Sequence, residues 1–119
     1  MSDFATHNHN KTYDPSNIFA KIISGTLPSN KVYEDELCLA FHDINPRAQT
    51  HVLVIPKGEY IDFSHFIVNA SAQDISQFFG KIEHIATNVL GLQSFRLNVH
   101  NGESSGQEVF HFHVHILSN

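Results

Sequence analysis

Gly106-Gln107-Glu108-Val109-Phe110-His111-Phe112-His113-Val114-His115-Ile116-Leu117 decides the fold. Val109 to Leu117 is predicted as a strand. Strand side chains alternate between two faces, so His111, His113 and His115 share one face. Phe110, Phe112, Val114 and Ile116 take the other, which the spacing assigns to the core. A strand buried on one face only belongs to an antiparallel sheet.

Working outward from that strand, Gly102 to Gly106 is a Gly/Ser loop. Before it, Ser94 to Val99 alternates Phe95, Leu97 and Val99 with polar Arg96 and Asn98, a second half-buried strand. Ala72 to Leu90 reads as the long helix: Ile75, Phe78, Phe79, Ile82, Ile85, Ala86 and Val89 fall on one stripe of the 3.6-residue period. Ser71 with Asp74 supplies a start signal, and Gly91 follows the last turn. His51 to Ile55 is a β-branched strand stopped by Pro56, reached through the loop Asn45 to Thr50. Lys31–Tyr33 and Leu37–Asp43 make two more strands around a Glu34-Asp35-Glu36 turn. Ile18 to Ser24 is a short helix, capped by Asn17 and ended by Gly25. The expectation is one α+β domain over 14–119, about five antiparallel strands with two helices. It is preceded by a disordered polar tail, 1–13, that holds His7 and His9.

Composition narrows the function. At 119 residues, 41% of them hydrophobic, the chain suits a single domain with a core of useful size. No apolar run reaches the length of a membrane helix, and Met1 to Thr12 lacks the apolar segment of an export signal. Cys38 is the only cysteine, which excludes an internal disulfide and Cys-x-x-Cys chemistry and points to a reducing cytoplasm. A net charge of -5 argues against a nucleic-acid-coating surface. After Arg96 there is no lysine or arginine, so a phosphate met by the last quarter of the chain must use imidazole and backbone N–H groups.

Three histidines on one strand face admit three readings. They are a solvated polar face, ligands of a metal, or a catalytic row. Neighbouring rings stand roughly 6.6 Å apart along a strand, so two could share a zinc but three hardly could; Glu108 or His51 would have to complete the shell. Catalysis by imidazole alone fits better. One ring, neutral, can attack, while its neighbours orient it and stabilise developing charge. The expectation is therefore no metal and no cofactor.

The same string resembles the signature of the histidine triad (HIT) superfamily. Ile18-Phe-Ala-Lys-Ile-Ile23, Tyr33-Glu-Asp35, Leu39 to Pro46 and His51 to Lys57 match that family too, in order, and the match is nearest to its Hint branch. The resemblance implies a homodimer joined through the long helix and adjoining strand, and hydrolysis of purine nucleoside phosphoramidates or adenylates at the α-phosphorus. A dinucleoside polyphosphate hydrolase and a nucleotide-binding scaffold are the alternatives. His113 would attack and carry the nucleotide, His111 and His51 would orient and tune it, and His115 would contact phosphate or the leaving side. Ile18, Phe19, Ile22, Leu27, Phe41 and Leu53 would hold the base. Asp43 would take the ribose hydroxyls, with His42, Ile44 and Asn45 beside it. Gly106, Gln107, Glu108 and Val109 would line the phosphate. The chain departs from the family pattern at Asn17 and Ala20, where many bacterial relatives carry a zinc-binding Cys-x-x-Cys. It departs again at Glu108, often a hydroxyl residue, and at His100, usually asparagine and here followed by Asn101.

Overall fold

The computed structural model describes residues 12–119; the tail histidines His7 and His9 lie outside them. Five strands form one antiparallel sheet: β1 (Lys31–Glu34), β2 (Cys38–His42), β3 (Thr50–Pro56), β4 (Arg96–Asn98) and β5 (Val114–Ser118), in the order β1-β2-β3-β5-β4. Helix α1 (Ile18–Ile23) precedes β1, while α2 (Phe63–Asn69) and α3 (Ala72–His84) lie between β3 and β4. None of the described helices is long and apolar enough to cross a membrane.

Register sorts the side chains into two faces. Ala40 opposes Val54, Val52 opposes Ile116, and Val54 opposes Val114. These residues pack with Phe66, Phe78, Ile82, Ile85, Ala86 and Phe112 into the main core under α2 and α3. On the other face Leu39 opposes Ile55, Phe41 opposes Leu53, and Leu53 opposes His115. There α1 covers only part of the sheet, through Phe19, Ile22 and Ile23. The histidines lie on this same face, buried beside Phe19.

Local chemistry explains the element ends. Asn17 accepts the Ala20 N–H and Ser71 the Asp74 N–H, as expected of helix caps. Asp35 Oδ1 accepts from Leu37 and Cys38 N–H and shapes the β1–β2 turn. Gly91, at φ 68°, closes the long helical segment, with the Leu92 N–H returning to the Ala86 carbonyl.

Several expectations need correction. The final strand begins at Val114, not Val109, because the stretch before it bends and spends its hydrogen bonds elsewhere; the Phe112 N–H goes to the Tyr60 carbonyl. Phe110 is consequently half-buried beside a surface cleft and is not a core residue. The long helix is α-helical only to His84. Ile85–Val89 widens into a π turn, with the Leu90 N–H bonded to the Ile85 carbonyl. The strand at Ser94 to Val99 is only Arg96–Asn98, and Leu97 and Val99 are 44% and 39% exposed where the helices stop short. Helix α2 was not expected from the sequence. Its seven residues are too few to show a period, but Asp62 caps it by accepting the His65 N–H.

Candidate active site

Hydrogen-bond partners fix which nitrogen of each histidine carries a proton. A backbone carbonyl only accepts and a backbone N–H only donates, so each such contact assigns one ring atom. His113 Nδ1 lies 2.7 Å from the His111 carbonyl and must donate. Its Nε2 therefore keeps a lone pair. His51 Nδ1 accepts the Arg47 N–H at 3.1 Å, so its Nε2–H donates to His115 Nδ1 at 2.9 Å, with Asp43 Oδ2 at 3.4 Å. His115, with Nδ1 occupied as an acceptor, presents Nε2–H. His111 Nε2–H donates to the Pro56 carbonyl at 2.7 Å, leaving Nδ1 to accept the Tyr13 hydroxyl at 2.6 Å.

Burial keeps these rings neutral. Desolvation, against the pull of the Pro56 carbonyl, lowers His111 to about 4. Desolvation, with the neighbouring rings of His113, His51 and His100, lowers His115 to about 3. Burial likewise lowers His113 and His51. The outcome is a neutral His113 whose Nε2 has no hydrogen-bond partner among the described residues, beside His115 at 5.1 Å between ring centres and edge-on to Phe19 at 4.9 Å. His111 touches His113 through its carbonyl, while its ring turns toward Pro56 and Tyr13. His51 acts on His115.

The expected binding residues fall into groups. Ile22, Phe41, His42, Asp43 and Ile44 line one narrow cleft with Pro28, Ser29 and Asn30. Phe19, Phe41 and Leu53 are buried in one apolar cluster with Leu39 and Ile55, and Phe41 and Ile22 connect that cluster to the cleft. Ile44 is 91% exposed at the rim, and Leu27 is exposed. Asp43 Oδ1 accepts the Asn45 N–H, so the carboxylate caps a turn while Oδ2 faces His51. Ile18, Glu108 and Val109 line a different, wider cleft with Asp14, Asn17, Ile61 and Phe110.

The loop before the histidines is tied down by Gln107. Its buried amide donates to the Ile61 and Val109 carbonyls and accepts the Gly102 N–H, which makes the side chain a brace for the loop. Gly106 has φ 99°, and a Cβ there would sit 3.3 Å from His100 Nδ1, so glycine serves both the turn and the close approach. Asn101 accepts the Ser64 N–H at the start of α2. His100 instead turns toward the histidine row, edge-on to His115 at 5.4 Å.

Among the described residues, Asp43, His51 and His115 form the one group able to converge on an ion, with one donor atom each inside 4.8 Å. Two nitrogens of a tetrahedral zinc, each at about 2.0–2.1 Å, stand roughly 3.3 Å apart. The 2.9 Å spacing of His51 Nε2 and His115 Nδ1 is closer, and a proton already occupies it. The arrangement is that of a hydrogen-bonded pair.

Tyr13 and Ser29 were not expected at the site, and His100 was expected there only as an alternative to Asn101. Tyr13 stands at the last position assigned to the tail, yet burial raises its phenol and it holds His111 as a donor. Nothing in its polar surroundings signals that docking. The Ser29 hydroxyl is buried in the Asp43 cleft with no partner among the described residues. His100 had a signal, its departure from the family's asparagine.

Known proteins agree with this architecture. The HIT domain signature matches residues 24–119. The HIT-like protein RP317 of Rickettsia prowazekii is 51% identical over 107 residues, 88% of each chain. Among solved structures, a HIT family hydrolase from Clostridium thermocellum superposes with a TM-score of 0.73 at 36% identity, covering 87% of this chain and 90% of that one. A hypothetical histidine triad nucleotide-binding protein of Sulfolobus tokodaii superposes at 0.75 with 30% identity, covering 86% and 68%. With a family signature spanning most of its length, a relative half identical to it and the three-histidine strand in the matching fold, the chain belongs to the HIT family.

Proposed function

We propose that the protein hydrolyses purine nucleoside phosphoramidates or adenylates at the α-phosphorus through a covalent nucleotidyl-His113. The observation that carries this reading is the tautomer of His113. Its Nδ1–H is spent on the His111 carbonyl, so the neutral Nε2 is the free nucleophile. The carbonyl also stabilises the positive charge that the ring gains when Nε2 bonds phosphorus. His115 offers its Nε2–H to a phosphoryl oxygen, and His51 with Asp43 holds that ring in place. The purine lies over Phe19 and Phe41, and the Asp43 carboxylate with the Ser29 hydroxyl takes sugar hydroxyls. The relatives described as a hydrolase and as a nucleotide-binding protein support the same direction.

The test is rapid quench of the protein with an adenosine phosphoramidate, followed by intact-mass and peptide analysis. A nucleotidyl adduct on the peptide containing His113 is expected. Turnover with no adduct on wild type, or undiminished turnover by His113→Ala, overturns the reading.

The reading extends to assembly and compartment. Leu97, on the edge strand β4 opposite the core residue Ile116, is exposed, as are Val99 just beyond the strand and Val89. A second copy pairing at that edge would cover them in an isologous contact. Sedimentation at twice 13.4 kDa is expected, and monomer alone at micromolar concentration counts against it. The buried, unpaired Cys38 suits a reducing cytoplasm.

A further inference from the structure

We propose that His100 is a further catalytic residue, the proton donor to the departing amine. The inference rests on the nucleotidyl transfer to His113 proposed above and assigns a step which that reading leaves open. Breaking a P–N bond requires a proton on the leaving nitrogen, since an amide anion is too poor a leaving group.

Geometry places His100 for this task. Asn98 opposes His115 across β4 and β5, and antiparallel pairs share a face. His100 lies two residues past that pair, just beyond the end of β4, and His113 immediately precedes β5, so both sit at the same end of this strand pair. Its ring meets His115 edge-on at 5.4 Å and weakens protonation of both His113 and His115 through space. Nδ1 is held by the Ser105 carbonyl at 2.9 Å and must be the protonated nitrogen there. The mobile proton therefore belongs to Nε2. The loop is shaped around this contact, with Gly106 leaving room for the ring.

Solvent access separates His100 from its neighbours. His51, His111, His113 and His115 are all buried, and burial disfavours their charged forms. His100 is half-buried, so water reaches its ring. No lysine or arginine follows Arg96 in the chain to supply the proton instead. Glu108 lines the other cleft, with Asp14 and Asn17.

The steps balance. His113 Nε2 bonds phosphorus as the P–N bond breaks, and the nitrogen takes the Nε2 proton of the His100 imidazolium. The amine departs neutral and His100 is left neutral. Water then attacks the nucleotidyl-His113 and gives a proton to His100 Nε2, which releases the nucleoside monophosphate and restores both rings.

The test compares two leaving groups in wild type and His100→Asn. One substrate is an adenosine phosphoramidate of an alkylamine. The other is the p-nitrophenyl ester of AMP, whose phenolate leaves without a proton. Adduct formation on His113 is followed by rapid quench, with circular dichroism and thermal unfolding to verify the fold. The variant should lose on the order of 10²- to 10³-fold with the amine and at most a few-fold with the phenolate. Equal losses with both substrates, or no loss with the amine, overturn the assignment. Wild type that forms no adduct from either substrate sinks the His113 reading itself, and this assignment with it.

Discussion

The two faces of β3 and β5 alternate residue by residue, yet they obey opposite rules. Val52, Val54, Val114 and Ile116 pack with Phe66, Phe78 and Ile82 of α2 and α3 in a hydrophobic core. One step away, His51, His113 and His115 are buried too, at 3%, 8% and 9% exposure. Each needs an assigned hydrogen-bond partner, because a buried imidazole without one costs free energy. The core face gains by excluding polarity. The histidine face accepts desolvation and uses it, since neutral rings in an ordered network offer both a lone pair and an N–H in known positions. Removing a side chain from the first face should cost stability, and from the second, turnover.

The largest effect expected is His113→Ala, which should lower turnover of an adenosine phosphoramidate by on the order of 10⁴-fold or more, as loss of a covalent nucleophile does. Its melting temperature should stay near that of wild type, and nucleotide binding, followed by calorimetry with AMP, should persist. A variant that unfolds would place His113 among the core residues and break the contrast. Ile116→Ala probes the other face. Chemical denaturation should show about 2–5 kcal/mol of lost stability, while turnover per folded molecule stays within a few-fold of wild type.

His51→Ala sharpens the contrast within the histidine face. It removes the donor that holds His115 and should slow turnover by about 10²-fold, less than loss of the nucleophile, with the His113 adduct still detectable. A loss equal to that of His113→Ala would make His51 part of the chemical step.

Acid should act on the histidine face first. His111 and His115 fall to about 4 and about 3 in the folded protein, against an ordinary 6.5. Between those values the unfolded chain binds protons that the folded chain refuses, so stability is complete above about pH 6.5 and is lost as pH falls toward 4. Melting temperatures measured from about pH 8 down to about pH 5 should hold steady and then decline. A flat profile would mean that the buried rings are already charged. The smallest effect expected is that of a strong chelator, which should leave turnover unchanged because a hydrogen bond occupies the space between His51 and His115. Loss on EDTA treatment restored by zinc would turn this face into a metal centre.

Much of this was legible in the residue order. Period-2 alternation placed Phe112, Val114 and Ile116 inward with the histidines opposite, and the 3.6 period found the Ile75 to Ala86 stripe. Leu97 and Val99 were misplaced because alternation says that a side chain has a face, not that another element covers it, and Phe110 because the chain bends before β5 begins at Val114. Helix α2 escaped because seven residues carry less than two turns of pattern. Gln107 looked like part of a phosphate loop, and its buried amide braces that loop against Ile61.

By itself, then, the sequence determined the family and which residues bear imidazole, carboxylate and apolar surface, since those follow from residue identity and short-range period. Only the tertiary structure decided which atom of each ring is free. Tautomers depend on partners that the folded chain brings up: Pro56 and Tyr13 from far along the chain for His111, His115 for His51, and nearer ones placed by a turn or bend, Arg47 for His51 and the His111 carbonyl for His113. The same holds for His100 and Asn101, adjacent in sequence, which part company because one is caught by the Ser105 carbonyl and the other by the first turn of α2. The folded path of the loops and the packing of α2 set such contacts, and no local period encodes them.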